Sequence, residues 1–585
     1  MSQQQTGAHL IAETLRALEV PVIFGIVGIP VIEVADACIA AGIRFISFRN
    51  EQAASYAATA YGYLTGRPGV CLVVGGPGVL HAMAGVGNSM VNTTFPLLLL
   101  AGAAPTGDST TKGSFQQLDQ VALLAPHTKL ALRPPSLEQL PNAIRDAYRA
   151  AFYGRPGATY VDLPADYIQA PIPSSPSRIS AVEQAPKILA DPERIRAITA
   201  ALAASKSPLV IIGKGAAYAR AEADIRGFVD ATQIPFLPTP QGKGVVPDSH
   251  PLNTSAARSA TLKGADFILL IGARVNWILH FGTRFRSGAK IAQVDICAEE
   301  LGRNGVDSSL SVIGDISAVL AQLREQLGGY AHPSSSPWRG AIHESSTANT
   351  RKARVKEDAV TAPGERLSYQ RTFRIVEDAL LQLAASPEQL VYVSEGANTM
   401  DISRSIFSIA APRQRLDAGT YATMGVGLGY AIAAEMAYNH SPSSSSSPKR
   451  VIAIEGDSAL GFSLAEIETM ARYRLPIIIM VMNNGGVYHG ISDDTTEFRE
   501  VWEKDERRLE GTLPSTALGF ETEYDVVARG LGAKGWRVET EEELKSAVEE
   551  AWKHQGPSLL NVIIRSGAGG KLSFGWLEKK EGAKL

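Results

Sequence analysis

The chain of 585 residues is 45% hydrophobic and 20% charged, the composition of a soluble globular protein, and its length predicts about three domains. The formal net charge of −3, without a basic stripe, excludes nucleic acid as a partner. The cysteines Cys38, Cys71 and Cys297 lie too far apart for a zinc site or a disulfide framework, which indicates a reducing compartment. The N-terminus lacks the regions of a signal peptide. The longest apolar runs are too short to span a bilayer, so we expect no membrane association.

Residues 1–185 are predicted to form a first α/β domain. Strand-like apolar runs at residues 22–27, 43–48 and 70–74 alternate with helical patterns such as residues 51–64, and this alternation is typical of a parallel sheet.

Residues 188–328 are predicted to form a second α/β domain. Its strand-like runs, residues 209–212, 267–271 and 291–294, each end at a glycine or at Asp295. Such residues suit the tight turns that follow parallel strands.

The remaining sequence divides into three parts. Residues 329–364 are rich in Ser, Pro and charge, and we interpret them as a linker. Residues 365–566 are predicted to form a third domain, and residues 567–585 a tail. Because all three blocks alternate strand and helix, the predicted fold class is α/β, with three doubly wound parallel-sheet domains.

Two residues of the third domain, Asp457 and Asn484, are the most informative in the chain. They follow the strand-like runs 451–455 and 475–482, so they should project from the same carboxyl edge of a parallel sheet. A carboxylate, an amide oxygen and a backbone carbonyl suit Mg²⁺, which takes phosphate oxygens as further ligands. Each motif alone is more typical of an ordinary N-cap or turn, but together they favour a site for Mg²⁺ and phosphate.

A helix is predicted between these two strands. Ser463 and Glu466 have the spacing of a capping box at its start. The backbone N–H groups that follow Asp457 would be available to a phosphate.

These motifs resemble the diphosphate- and Mg²⁺-binding motif of thiamine-diphosphate enzymes. The resemblance extends over residues 6–566, which are similar to the thiamine-diphosphate-dependent decarboxylase/lyase family. The segments that carry it are residues 154–157, 212–218, 242–248, 276–282, 293–300 and 394–401.

The resemblance implies thiamine diphosphate and Mg²⁺ as cofactors. Asp457, Asn484 and the backbone carbonyl of Gly486 would hold the metal. The further cofactor-binding positions that it implies are Ala397, Asn398, Ala422, Thr423, Met424, Ser458, Ala459 and Tyr488.

Two residues of this set relate to the shape of the cofactor. Met424 would bend the cofactor, unless it only fills the core, and the carbonyl of Ala422 would accept a hydrogen bond from the cofactor's 4′-amino group. The family usually has glycine where this chain has Ala422, and an alanine fits there if its φ is negative.

Glu51 matches the glutamate that hydrogen-bonds the pyrimidine ring of the cofactor and drives its activation. A carboxyl whose pKa is raised by burial can pass a proton at low cost. Without the resemblance, Glu51 would be interpreted as a surface acid at a helix N-terminus. In the family this glutamate comes from the partner subunit, which implies a homo-oligomer, either a dimer or a tetramer.

Within the family, the most similar branch is the peroxisomal 2-hydroxyacyl-CoA lyases, followed by the oxalyl-CoA decarboxylases. The decarboxylases have Tyr-Glu where this chain has Phe115 and Gln116. Gln116 can donate a hydrogen bond to a substrate hydroxyl or carbonyl, and Phe115 suits an alkyl chain, unless it is a core residue. These two residues and Glu51 are the candidate catalytic residues.

A CoA or nucleotide group needs basic side chains around its phosphates. By resemblance, the candidate phosphate-binding residues are Arg155, Lys214, Arg274 and Arg404, and the candidate ribose- or adenine-binding residues are Asp295 and Asp315. In oxalyl-CoA decarboxylase the middle domain holds an ADP-like effector, which makes ADP a candidate effector here.

The resemblance implies a carbon–carbon lyase of fatty acid alpha-oxidation. It would cleave an acyl-CoA substrate, a 2-hydroxyacyl-CoA, to formyl-CoA and an aldehyde one carbon shorter through a carbanion of the cofactor. The alternatives are an oxalyl-CoA decarboxylase, an acetolactate-synthase-like carboligase and a non-catalytic subunit with this fold. Phe115 and Gln116 argue against the first, the CoA-type positions against the second, and intact Glu51, Asp457 and Asn484 against the third.

The chain ends in Ala583, Lys584 and Leu585, a close relative of the Ser-Lys-Leu peroxisomal address. This ending predicts the peroxisome matrix as location and the peroxisomal import receptor as a partner. The tail also contains Phe574 and Trp576, which favour a lid over bound acyl-CoA; a disordered tail is the alternative.

Overall fold

A computed structural model describes the chain in segments. These are residues 5–108, 112–172, 180–441, 448–488, 490, 499–500, 502–503 and 514–566. The strands form three parallel sheets, which confirms the predicted α/β class with three parallel-sheet domains. The tail 567–585, with the targeting residues 583–585 and the predicted lid, lies outside the described residues.

The first sheet contains six strands from the N-terminal part of the chain. They are β1 Val22–Gly25, β2 Arg44–Ser47, β3 Gly69–Val73, β4 Leu97–Ala103, β5 Leu130–Leu132 and β6 Ala158–Pro164. Their spatial order is β2-β1-β3-β4-β6-β5, and all neighbouring pairs are parallel. The central strands β3, β4 and β6 are buried along their whole length, as the continuous apolar sequences of β3 and β4 predict.

The second sheet contains five strands from the middle of the chain. They are β7 Pro208–Ile212, β8 Phe236–Pro238, β9 Phe267–Ile271, β10 Lys290–Asp295 and β11 Ser311–Ile313. The order is β11-β10-β9-β7-β8, again with parallel neighbours.

The third sheet has six strands and repeats the order of the first. They are β12 Leu390–Glu395, β13 Arg415–Asp417, β14 Arg450–Gly456, β15 Ile478–Asn483, β16 Lys534–Val538 and β17 Ser558–Ile563. The order is β13-β12-β14-β15-β17-β16, with parallel neighbours. Strand for strand, this is the arrangement of the first sheet.

Helices connect and cover the strands. Around the first sheet they are α1 Gly7–Ala17, α2 Ile32–Ala40, α3 Glu51–Thr65, α4 Pro77–Asn92, α5 Gln120–Leu124, α6 Leu140–Phe152 and α7 Ala165–Gln169. Around the second they are α8 Pro192–Ala203, α9 Lys214–Tyr218, α10 Glu222–Thr232, α11 Arg258–Gly264, α12 Ile316–Leu327 and α13 Pro337–Glu357. Around the third they are α14 Tyr369–Leu383, α15 Ala397–Ile406, α16 Gly427–Asn439, α17 Asp457–Leu460, α18 Glu466–Arg472, α19 Tyr524–Gly530 and α20 Glu541–Lys553.

Helices of the first and third sheets pack directly on each other. α3 and α16 are rich in alanine and are buried along most of their length. A Cβ at Gly429 would lie 2.7 Å from the carbonyl oxygen of Ala53, so only glycine allows this close approach. The two sheets therefore share one hydrophobic core.

The segment interpreted as a linker, residues 329–364, contains the helix α13. Ser336 caps it by accepting a hydrogen bond from the N–H of Arg339, and Pro337 is its first residue, a common arrangement at helix starts. The buried indole of Trp338 donates to the carbonyl of Pro208 at 3.0 Å. The helix therefore packs against the second domain, although most of its surface is polar.

None of the described helices is both long enough and apolar enough to cross a bilayer.

Candidate active site

Asp457 lies at the carboxyl edge of the third sheet, as predicted. β14 ends at Gly456, and its parallel neighbour β15 ends at Asn483. Asp457 is buried, and only 3% of the residue is exposed. Its Oδ1 accepts from the N–H of Ser458 and its Oδ2 from the N–H of Gly485, both at 2.8 Å. The ends of two neighbouring strands therefore converge on one carboxylate.

Asn484 is oriented by the loop that follows β15. Its Oδ1 accepts from the N–H of Gly486 at 3.2 Å, and its Nδ2 donates to the carbonyl of Tyr488 at 3.3 Å. Asn398, near the start of α15, donates to the same carbonyl at 3.2 Å. The structure thus brings these four predicted residues together beside Asp457.

The charges and oxygens at this edge fit a single divalent cation. Burial raises the pKa of Asp457 to about 7, partly opposed by the surrounding backbone N–H groups, and a cation would favour the charged form. Among the described residues, no group of three or more His, Cys, Asp or Glu side chains could hold a metal. A metal here would rest on Asp457, the amide oxygen of Asn484 and main-chain carbonyls, which fits Mg²⁺ bound together with phosphate oxygens.

The predicted diphosphate positions lie on two neighbouring turns. Ser458 and the buried Ala459 continue from Asp457 into α17, and Ala397 begins α15. The N-cap of α15, Gly396, has a φ of 95°, a conformation that glycine adopts readily. A Cβ on Gly396 would lie 3.3 Å from the backbone nitrogen of Gly456, so the two turns are in close contact.

The loop after β13 carries Ala422, Thr423 and Met424, and its backbone differs from expectation. Ala422 has a φ of +55°, so the condition under which an alanine would fit without strain, a negative φ, is not met. This left-handed region costs a non-glycine residue about 1–2 kcal/mol, which means that the surrounding contacts impose the conformation. The Thr423 hydroxyl donates to Asn88 Oδ1 at 3.1 Å, and Met424 is half-buried.

Two fully buried carboxyl groups next to this loop, Glu395 and Glu455, were not predicted. They are paired in register on β12 and β14. Glu395 accepts from the N–H groups of Gly425 and Gly427, whereas the Glu455 carboxyl has no hydrogen-bond partner among the described residues. Burial raises the pKa of Glu395 to about 7, and burial together with the charge of Glu395 raises the pKa of Glu455 well above its usual range. The signal in the sequence is a Glu-Gly pair at each strand end.

Glycine is required at position 427 because of this pair. A Cβ on Gly427 would lie 1.9 Å from Glu455 Oε1. The pair therefore fixes the start of α16, which directly follows the loop with Met424.

Glu51 is the first residue of α3. Asn50 caps the helix by accepting a hydrogen bond from the N–H of Gln52 at 2.7 Å. The Glu51 carboxylate Oε2 lies 3.0 Å from His81 Nδ1 on α4. His81 was not predicted; within this chain it is the side chain that contacts the candidate catalytic acid.

The predicted capping box at Ser463 and Glu466 is wrong. α18 begins at Glu466 itself, and the hydroxyl of Ser463 has no hydrogen-bond partner among the described residues. The buried Glu466 carboxylate instead accepts from the N–H of Arg49 at 3.2 Å and from the Thr469 hydroxyl at 2.7 Å. A contact between domains has therefore replaced the local cap, and it holds the turn that precedes Glu51.

Phe115 and Gln116 lie in the segment between β4 and α5. Phe115 is 68% exposed, so the alternative that it is a core residue of the single chain is wrong. Gln116 has a φ of +51°, and its buried Oε1 has no hydrogen-bond partner among the described residues. An unsatisfied acceptor held in a strained conformation is typical of functional sites.

A cavity of about 910 Å³ lies where the three domains meet. Its lining contains every residue predicted to bind CoA or a nucleotide, namely Arg155, Lys214, Arg274, Asp295, Asp315 and Arg404. These residues are separated by up to about 250 positions in the sequence, and the fold brings them to one space.

The arginines of the cavity are partly neutralised by acids. Glu300 Oε1 lies 3.2 Å from Arg155 Nη1 and 3.9 Å from Arg274 Nη1. Arg404 pairs with Asp401 at 3.0 Å. Burial is the main cause of a lowered pKa of Arg274.

The two predicted aspartates are held by backbone N–H groups. Asp295 accepts from Cys297 at 2.9 Å and Asp315 from Ile188 at 2.6 Å. Burial raises the pKa of Asp295. Asp295 is the last residue of β10, and Asp315 lies between the end of β11 and the start of α12, so both are at the carboxyl edge of the second sheet.

The cavity wall also contains polar atoms without partners. Thr94 Oγ1, Gln241 Oε1 and His280 Nδ1 are buried and have no hydrogen-bond partner among the described residues. Because such atoms are costly unless something pairs with them, they favour a polar ligand in this space.

The sequence matches one enzyme family in three successive segments. The N-terminal TPP binding domain of thiamine pyrophosphate enzymes matches residues 5–123, their central domain residues 195–323, and their C-terminal TPP binding domain residues 395–562. The chain therefore belongs to the thiamine pyrophosphate enzyme family, which confirms the predicted family; thiamine pyrophosphate is thiamine diphosphate.

Similar proteins align over nearly the whole chain. The 2-hydroxyacyl-CoA lyase 1 of Homo sapiens is 43% identical over 99% of this chain and 98% of its own length. The 2-hydroxyacyl-CoA lyase of Saccharomyces cerevisiae is 41% identical over 98% and 99%. The oxalyl-CoA decarboxylase of Escherichia coli is 36% identical over 97% and 96%.

Proposed function

We propose that this protein is a thiamine-diphosphate-dependent lyase that cleaves a 2-hydroxyacyl-CoA to formyl-CoA and an aldehyde one carbon shorter. The observation that carries the proposal is the similarity to 2-hydroxyacyl-CoA lyases over nearly the full length of the chain. The exposed, apolar Phe115 beside Gln116 supports it, because an alkyl chain favours an apolar neighbour. Thiamine diphosphate supplies the carbanion chemistry when it is bound.

The third sheet would hold the diphosphate end of the cofactor. Asp457, the amide oxygen of Asn484 and the carbonyl of Gly486 are proposed as Mg²⁺ ligands. Ala397, Asn398, Ser458, Ala459 and Tyr488 would surround the phosphates. The buried carboxylate and the two turns in close contact fit this group.

The first sheet would supply the proton-transfer group. Glu51 is proposed to hold a proton at its carboxyl Oε2 for the pyrimidine ring, with His81 fixing its direction at 3.0 Å. Ala422 and Met424 would contact the middle of the cofactor, and Gln116 would donate to the substrate oxygen.

We further propose that two copies of the chain complete each site. Large apolar side chains are exposed at both edges: Leu80 (52%), next to His81, and Phe115 (68%) at the edge of the first sheet, and Tyr421 (49%) and Phe462 (52%) at that of the third. Apolar side chains this exposed are typical of covered interfaces when they cluster. A homo-oligomer would bury them and place Glu51 of one subunit at the cofactor of the other.

The cavity between the domains is proposed to bind the ADP portion of CoA or ADP itself as an effector. Its size fits a ligand of this kind, since small-molecule sites commonly occupy about 300–1,000 Å³. Its partly buried cations fit phosphates, and its aspartates fit ribose or adenine donors.

The reaction products distinguish the lyase from the alternative functions. The holoprotein is incubated with thiamine diphosphate, Mg²⁺ and either a long-chain 2-hydroxyacyl-CoA or oxalyl-CoA, and the products are determined by mass spectrometry. Formyl-CoA with an aldehyde supports the lyase. If formyl-CoA forms only from oxalyl-CoA, the protein is an oxalyl-CoA decarboxylase. This is the second candidate because the chain is 36% identical to that enzyme of Escherichia coli. No turnover by a protein that binds the cofactor would support a non-catalytic subunit.

Phe115 and Gln116 are proposed to decide between these two substrates. The double variant Phe115→Tyr with Gln116→Glu should shift kcat/KM towards oxalyl-CoA. An unchanged ratio of kcat/KM for the two substrates would place substrate choice elsewhere.

We propose the peroxisome as location, based on the last three residues, 583–585. Their deletion should abolish import by the peroxisomal receptor and leave turnover unchanged. Deletion of everything after Gly570 should also lower kcat if the tail closes over acyl-CoA. Unchanged turnover would mean that the tail acts only as a targeting signal.

A further inference from the structure

Gln120 is a buried amide at the carboxyl edge of the first sheet. It is the first residue of α5 and is only 1% exposed. Its Oε1 accepts from the backbone N–H of Gly76, between β3 and α4, at 2.6 Å. Its Nε2 lies 3.1 Å from the carbonyl oxygen of Gly102 near the end of β4 and 2.9 Å from Asp162 Oδ1 near the end of β6. One side chain therefore connects the ends of three neighbouring strands.

Asp162 fixes the direction of this amide. Its carboxylate is buried and accepts from Arg133 Nε at 2.7 Å and from the Tyr160 hydroxyl. Burial and the charge of Asp162 raise the pKa of Tyr160, so its hydroxyl stays neutral and can also accept from Gln120 Nε2 at 2.7 Å. Because Nε2 faces acceptors and Oε1 faces a donor, exchanging the two ends of the amide would set donor against donor and acceptor against acceptor. The carbonyl end of Gln120 is therefore held towards Gly76.

Gly76 in turn supports Gln116, the residue proposed to contact the substrate. Gly76 has a φ of +51°, and a Cβ at this position would lie 2.6 Å from the carbonyl oxygen of Gln116 and 3.4 Å from its Cα. Only glycine allows so close an approach. The Gly76 peptide thus lies between the amide of Gln120 and the backbone of Gln116, and a shift of this peptide would move Gln116 with it.

The turn that contains Gln116 has its own internal hydrogen bonds. The N–H of Ser114 donates to Gln117 Oε1 at 3.0 Å, and the N–H of Gln117 donates to the carbonyl of Ser114 at 3.1 Å. Gln116 lies inside this turn with a φ of +51°, and its buried Oε1 has no hydrogen-bond partner among the described residues. The internal bonds maintain the shape of the turn, whereas the contact with Gly76 sets where the turn lies relative to the edge of the sheet.

We infer that Gln120 is a positioning residue: through the Gly76 peptide it sets the location of Gln116, and with it the fit between the Gln116 amide and the substrate oxygen. Gln120 itself is buried and does not need to touch the substrate. Loss of its hydrogen bond would leave the buried N–H of Gly76 unpaired, which favours a displaced peptide because an unsatisfied buried donor is costly. The inference rests on the proposed role of Gln116 in the lyase reaction.

The first test is the variant Gln120→Met, which fills a similar space but cannot accept from Gly76 or donate to Asp162. We expect kcat/KM for a long-chain 2-hydroxyacyl-CoA to fall by about 10²-fold, because a displacement of about 1 Å in an active site can cost that much. The Kd of thiamine diphosphate should stay near that of the wild type, since the third sheet is not part of this network. Gln169→Met, at an exposed glutamine that ends α7 in the same domain, is the control and should keep the wild-type kcat/KM.

A double-mutant cycle with Gln116→Ala distinguishes positioning from a general loss of structure. If Gln120 acts through Gln116, Gln120→Met should change kcat/KM by less than about twofold once the Gln116 side chain is absent, because the effects of coupled residues are not additive. A role in stability alone would lower kcat/KM by the same factor in both backgrounds. If Gln120→Met melts far below the wild type, Gln120→Asn replaces it, because this shorter amide keeps a polar group in the core but cannot reach Gly76 and Asp162 at the same time.

Hydrogen exchange tests the same contact without any substrate. Peptides that cover Gly76 and Gln116 should exchange faster in Gln120→Met than in the wild type, and at wild-type rates in Gln169→Met. Unchanged exchange in Gln120→Met, or additive effects in the cycle, would overturn the inference alone. If Gln116→Ala leaves kcat/KM unchanged, the proposed role of Gln116 and the inference are both overturned. If no formyl-CoA forms from any substrate, the proposed function fails, and hydrogen exchange alone decides whether Gln120 holds Gln116 in place.

Discussion

The first and third sheets have the same strand order, yet their carboxyl edges carry different chemistry. In the first sheet the notable side chains are Glu51, just after β2, and Phe115 with Gln116 after β4. In the third sheet they are Asp457 after β14 and Asn484 after β15. The backbone arrangement is repeated, whereas one edge is suited to proton transfer and substrate contact and the other to a metal and phosphates.

From this comparison we propose that each edge is half of a site. Within one chain, Glu51 contacts His81 rather than the metal edge, and both edges expose large apolar side chains. A half-site gains function when the complementary edge of another copy covers it, as closed two-fold dimers allow. Substitutions at the two edges should therefore have different effects, on proton transfer at the first sheet and on cofactor binding at the third.

The largest effect is expected at the third sheet. Asp457→Ala removes the only carboxylate of the proposed metal site. Binding of thiamine diphosphate with Mg²⁺ should weaken by more than about 10²-fold, beyond the 10–100-fold that loss of a supporting partner typically causes. Isothermal titration measures this, with Asp378→Ala, an exposed aspartate of the same domain, as control. Unchanged affinity would place the metal elsewhere.

At the first sheet, substitution of Glu51 should lower turnover strongly but leave the affinity for the cofactor nearly unchanged. Glu51→Gln keeps the shape of the side chain but cannot pass a proton, so turnover should fall by about 10²-fold or more. The Kd of thiamine diphosphate should stay within a few-fold of wild type. Glu13→Gln, on the surface of α1, serves as control. Near wild-type turnover of Glu51→Gln would refute the assignment of the proton-transfer group.

The contact between the two domains at Glu466 should make stability depend on pH. Burial raises the pKa of this carboxyl from 4.5 to about 7, so the unfolded chain loses the proton first as pH rises. Stability should therefore decrease between about pH 4.5 and pH 7 and level off above, by about 3.5 kcal/mol at most, since one pKa unit corresponds to about 1.4 kcal/mol.

Glu466→Gln removes this titration while its amide oxygen can still accept from Arg49. The melting temperature of the wild type minus that of the variant should fall on going from pH 5 to pH 8. Glu468→Gln, a partly exposed acid of the same helix that pairs with Arg472, provides the control. Parallel pH profiles for wild type and Glu466→Gln would show that this carboxyl does not titrate in that range.

The smallest effect concerns the strained backbone of the loop after β13, residues 419–424, which carries Ala422 and Met424. Ala422→Gly relieves the left-handed conformation, and the melting temperature should rise modestly, in line with a gain of up to about 1 kcal/mol once the flexibility of glycine in the unfolded chain is subtracted. Ala410→Gly, outside the loop and without a positive φ, should lower it. Destabilisation by Ala422→Gly would mean that the methyl group makes contacts that outweigh the strain.

Local patterns predicted the third-sheet edge well, because Asp457 and Asn484 each follow a buried strand directly. The α/β class followed from the same alternation. Six cavity residues could be named only through the family resemblance, since they are scattered from residue 155 to residue 404 and no local pattern groups them.

Contacts between distant segments of the chain explain the structural features that the sequence did not predict. Glu466 accepts a hydrogen bond from Arg49, which is 417 positions away in the sequence, and the Glu395–Glu455 pair forms only when β12 and β14 align. Ala422 adopts its positive φ because the surrounding contacts outweigh its preference. The expected cap at Ser463 does not form because Glu466 contacts Arg49 of another domain instead. The helix within residues 329–364 was not predicted because the segment is polar, although its start, Ser336 followed by Pro337, is common at helix N-termini.

The central claim is that Glu51 of one subunit and Asp457 of the other act in the same site. Mixing Glu51→Gln with Asp457→Ala, each inactive alone, and allowing the subunits to exchange should restore formyl-CoA production to about a quarter of the wild-type rate, because half of the random dimers are mixed and each mixed dimer has one intact site. Native mass spectrometry confirms that mixed dimers are present. If they form and the activity stays at the level of the separate variants, the shared site is contradicted.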